Sequence, residues 1–165
     1  MRINFFFYLF FSFLFIIIQT SIVPTSYLGR FSPDLNLIII IYLVVRPQIP
    51  YMFTLVALNG FLMDVFSASP SGLHTITRFA AFIALRAGIR NLDYNSDQPT
   101  FPFLALFAGT LLTHLLLLGF LMFWQDGGQT VFMSVELALF QAIINTAVGV
   151  PIIMLLKKLD GTFKT

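Results

Sequence analysis

The chain reads as long apolar runs separated by short polar punctuation, with little of the alternation that marks half-buried strands or one-sided surface helices. A helix needs about 20 apolar residues to cross roughly 30 Å of hydrocarbon. Phe5 to Val23 is a nearly unbroken apolar run, softened only by Gln19, Thr20 and Ser21 at its far end. It is too long for the apolar region of a signal peptide, and no Ala-x-Ala cleavage site follows, so it reads as a first retained helix. Leu35 to Val45 and Tyr51 to Phe66 are shorter and form a hairpin around Arg46-Pro47-Gln48-Ile49-Pro50. The eleven residues of the first of these rise only about 16 Å. Ser67-Ala68-Ser69-Pro70-Ser71-Gly72 is a dense turn signal. Three further segments follow, at 73–89, 101–124 and 131–156. Seven of the eight prolines fall at or beside these boundaries, where a missing N–H is tolerated, and Pro151 alone lies inside a segment, where a kink is expected.

Composition turns this pattern into a statement about solvent. Of 165 residues, 58% are apolar and 10% charged, with 21 phenylalanines. An ordinary soluble domain carries about 25% charged residues. A disordered chain, a cytosolic enzyme and a nucleic-acid reader are all excluded on these grounds. The expected architecture is all-α: one polytopic integral membrane domain over 1–165, a six-helix transmembrane bundle. With both termini inside, Arg2, Arg46, Arg86, Arg90, Lys157, Lys158 and Lys164 fall on the cytoplasmic side, and Arg30 alone falls in the outer loops. That asymmetry points to a bacterial cytoplasmic membrane protein with cytoplasmic termini.

Ionisable groups inside spans are expensive, which makes Asp64, Arg78, His114 and Glu136 the residues to explain. Asp64 ends the third segment, while Arg78 and Glu136 stand near the starts of the fourth and sixth. An Asp64–Arg78 ion pair across the Ser-Pro-Ser-Gly turn is the economical expectation, because opposed charges at matched depth lower each other's desolvation penalty. His114, beside Thr110 and Thr113, is expected to make an interhelical hydrogen bond, and His74 to sit at headgroup level. Small residues recur at helical spacing in Ala80/Ala84/Gly88, Ala105/Gly109/Thr113 and Ala138/Ala142/Asn145/Gly149, with Gln141 beside Asn145. Such stripes let helix backbones approach closely. Tyr8, Tyr27, Tyr42, Tyr51, Phe101 and Trp124 suit interfacial anchoring.

Reaction chemistry is sparse. There is no cysteine, the two histidines are forty residues apart, and no phosphate-binding glycine loop is present, so neither a cofactor nor a metal is expected. Ser134 with His114 is the one imaginable intramembrane nucleophile pair, and no Gly-x-Ser-x-Gly elbow supports it.

Phe31-Ser32-Pro33-Asp34-Leu35, continued by Asn36 to Val45, resembles the second helix of the MreD family of rod-shape-determining proteins. Gly60-Phe61-Leu62-Met63-Asp64-Val65-Phe66-Ser67-Ala68-Ser69-Pro70-Ser71-Gly72-Leu73-His74 resembles that family's most recognisable segment, a Gly-x-x-x-Asp helix end, a turn, then Gly-Leu-His. The resemblance implies a non-enzymatic scaffold of the cell-elongation machinery for peptidoglycan synthesis. Its implied partners are an MreC-like bitopic protein and, indirectly, an MreB-like actin, RodA and a class B penicillin-binding protein. It also implies a bundle similar to the substrate-binding S components of energy-coupling-factor vitamin transporters. Asp64, Ser67, Pro70, Gly72, His74, Arg78 and Glu136 are then candidates for structural or partner-binding roles. The competing expectation is a small-molecule or lipid carrier with a cavity near Asp64, Arg78 and Glu136.

Overall fold

A computed structural model of the chain describes residues 2–22, 32–46, 51–66, 72–91, 100–124 and 130–162. It is all-helical, with six α-helices and no strand among the described residues. Helix α1 (Arg2–Ile17) runs into a π-helical turn at Ile18–Ile22, and α2 (Leu35–Val45), α3 (Met52–Phe66), α4 (Leu73–Asn91), α5 (Phe101–Trp124) and α6 (Thr130–Thr162) follow. Pro151 lies within α6, whose helix continues through it.

The short α2 is the hub. Every residue from Asn36 to Val45 is buried, and the helix packs against all five others. This accounts for a sequence that is apolar all round: a helix with no surface-facing side has no use for a polar stripe. Asp34 starts it as N-cap, its Oδ1 accepting from the Leu37 amide at 2.9 Å. Around this axis the most extensive pairings are α5 with α6 and α3 with α4. Ala105, Gly109 and Thr113 on α5, and Ala138, Ala142, Asn145 and Gly149 on α6, are all buried, so those two stripes face inward as expected. The Ala80/Ala84/Gly88 stripe does not: Ala84 is exposed, and a Cβ on Gly88 would meet nothing. It borders an apolar groove of about 160 Å³ between α4 and α5, floored by Ala105 and Ala108.

The outer surface inverts the usual order of a water-soluble protein. Phe6, Phe10 and Phe13 on α1, Phe61 and Val65 on α3, Phe103 and Leu115 on α5, and Leu139, Ile143, Met154 and Leu155 on α6 are exposed, while Asn36, Asn59, Thr77, Arg78, Thr110, Asn145 and Thr146 are buried. Two stretches, Phe101–Met122 and Val135–Leu159, are long and apolar enough to cross a membrane. Phe5–Ser21, Leu35–Val45 and Met52–Phe66 are apolar but shorter. The aromatic anchors need correction. Tyr8, Tyr42 and Phe101 are buried in one core cluster instead, and Tyr8 packs obliquely against Tyr42 of α2 at 5.8 Å. Tyr51 is exposed. Tyr27 and the Trp124 side chain lie outside the described residues.

Candidate functional site: a polar cluster joining all six helices

Arg78 is set five residues past the start of α4 and points into the bundle, where its side chain keeps only 2% of its surface. Its Nη2 donates to Asp34 Oδ2 at 2.7 Å, and its Nη1 donates to Asn59 Oδ1 at 3.2 Å. Asn59 Nδ2 in turn donates to Asn36 Oδ1 through a short bond, and the Asn36 amide donates to Gln19 Oε1 at 3.3 Å. On the other side, the Asp34 backbone N–H donates to Asn145 Oδ1 at 2.7 Å, and Asn145 Nδ2 donates to Thr110 Oγ1 at 3.3 Å. One connected cluster therefore takes a residue from the α1 π-turn, α2, α3, α4, α5 and α6. Where lipid tails surround a bundle, association of helices has little hydrophobic drive, and such bonds fix which face meets which.

Asp34 is the acceptor at the centre. Burial pushes its carboxyl up, but Arg78 and the Leu37 amide outweigh that and hold it below the ordinary value. The group stays ionised and serves as a permanent counterion, with its oxygens divided between helix cap and guanidinium.

The expected Asp64–Arg78 pair is not formed. Asp64 Oδ1 accepts from the His74 amide at 2.8 Å, and Oδ2 accepts from the Thr75 amide at 3.0 Å and from Thr75 Oγ1 at 2.5 Å. It satisfies the orphan N–H groups that every helix leaves in its first turn, here those of α4. Gly60 lies one turn earlier on the same face of α3, and a Cβ there would stand 2.6 Å from Thr75 Cα. The Gly-x-x-x-Asp spacing thus has a physical content: i and i+4 share a face, so the glycine admits the start of α4 and the carboxylate caps it. Gly72, with φ of 86°, takes the left-handed conformation immediately before α4, and its carbonyl accepts from Ile76 N at 2.9 Å.

Other sequence-derived candidates scatter. Glu136 is exposed on α6 and does not join Arg78 or Asp64. His114 Nδ1 lies 2.9 Å from the Thr110 carbonyl of its own helix, replacing the expected interhelical bond. His74 contributes its amide to the α4 cap. Ser67, Pro70 and the Ser134 side chain lie outside the described residues. Among the described residues no group of three or more His, Asp or Glu side chains could hold a metal ion. The missed residue is Asp34. Ser32-Pro33-Asp34 directly before an apolar helix is an N-cap signature, and it placed a carboxylate at the level of α4's buried arginine.

Among the described residues, two cavities bear on ligand binding. The α4/α5 groove is lined by alanines, Gly88 and larger apolar residues, and a second cleft of about 320 Å³ is lined by Phe5, Phe6, Tyr51 and Thr54. Neither contains Asp34, Asp64, Arg78 or Glu136.

No protein-family model, no curated protein and no solved structure matches the chain.

Proposed function

We propose that the chain is a non-enzymatic scaffold of the bacterial cytoplasmic membrane, a six-span bundle with both termini inside. It would act in the cell-elongation machinery in the way its resemblance to the MreD family implies. In this reading its apolar outer faces receive the membrane span of an MreC-like bitopic protein. Through that partner it supports peptidoglycan synthesis and rod shape, with the MreB-like actin, RodA and the class B penicillin-binding protein further along the chain of contacts.

The observation that carries the proposal is the polar cluster around the Arg78–Asp34 pair. The buried cation and its carboxylate bond one another, with Asn59 accepting from the cation and the Leu37 amide donating to the carboxylate, while the described cavities are apolar. A carrier needs a pocket with a few convergent polar groups, and a scaffold needs a rigid bundle with apolar faces outward. Crosslinking in intact membranes followed by co-purification tests the reading. A bitopic partner of the elongation machinery captured on this chain, together with rounding of cells on its depletion, is the expected result. Unaltered shape on depletion, or saturable uptake of a small molecule by the purified protein, would refute it.

A further inference from the structure

We draw no further inference here: the strongest candidate, the apolar groove between α4 and α5 that Ala84 and Gly88 leave open, is lined by uncharged side chains alone, and nothing in the structure shows what covers it.

Discussion

Removing Asp34 should harm the fold more than removing Arg78, although the two form one ion pair. The Arg78 side chain is 2% exposed and the Asp34 side chain 18%. Asp34→Ala strands a guanidinium in the interior with Asn59 Oδ1 as its one described acceptor, and it uncaps α2 by deleting the bond from Leu37. Breaking a buried pair from one side is destabilising by about 3–5 kcal/mol, and losing an N-cap adds about 1 kcal/mol. Arg78→Met leaves a carboxylate that still receives the Leu37 amide and is less enclosed than the guanidinium, at 18% against 2% exposure, which places its destabilisation nearer ~2 kcal/mol. The Asp34→Ala/Arg78→Met double variant carries no stranded charge and should be less destabilised than the sum of the singles by about 1–3 kcal/mol. Detergent-driven unfolding in bicelles, followed by helical circular dichroism, measures all four corners of the cycle. Because the folded carboxyl is held below its ordinary 3.8, the pair's contribution is complete above that value and fades only as pH falls through the lower folded one. The differences should therefore be the same at pH 6 and pH 8. Additive single variants, or stronger coupling between Asp64 and Arg78 than between Asp34 and Arg78, would refute the assigned partner.

Two further perturbations probe the α3–α4 corner. Gly60→Ala sets a methyl against the Thr75 backbone, so α4 must move. The loss should be about 2 kcal/mol, within the range for overpacking, whereas Gly149→Ala meets only Leu106 methyls and an Ile38 side-chain carbon and should be milder in the same unfolding assay. Asp64→Ala should destabilise by about 1–2 kcal/mol through loss of the α4 cap, and it should raise amide exchange at His74 and Thr75 without exposing Arg78; exchange unchanged at those two amides would show that the cap does not form.

The helices were legible and their partners were not. Segment 35–45 coincides with α2 and 101–124 with α5, and the remaining boundaries shift by a few residues at most except at the end of α6 and at the end of α1, where a π-helical turn takes over at Ile18. Proline and polar clusters interrupt apolar runs at the places where helices stop, a local effect visible in one dimension. Pairing is a tertiary property. Asp64 and Asp34 both end or begin apolar segments, and proximity across a short turn favours Asp64. What decides between them is which turn of α4 each meets. Asp64 faces the first turn, whose free amides take the carboxylate, while Arg78 lies beyond that turn on the face directed at α2. Composition likewise gave the apolar character of Tyr8 and Tyr42 but not their direction, since aromatic rings near segment ends suit both an interface and a core.

The centrality of α2 joins these points. An eleven-residue helix rises about 16 Å, too little to cross a bilayer unaided, yet it is the element that every other helix touches. Its ends are therefore placed inside the bundle, and their orphan N–H groups need partners there. Asp34 supplies one at the start, and having been drawn inward it needs a cation, which α4 provides in Arg78. The same logic brings Asn145 to the Asp34 amide and Gln19 to that of Asn36. The buried ion pair in this chain is thus a consequence of a short central helix. A variant lengthening α2 at its N-terminus should consequently loosen the hold of Arg78 before it disturbs the α3–α4 corner, because the two sites share α4 but not its cap.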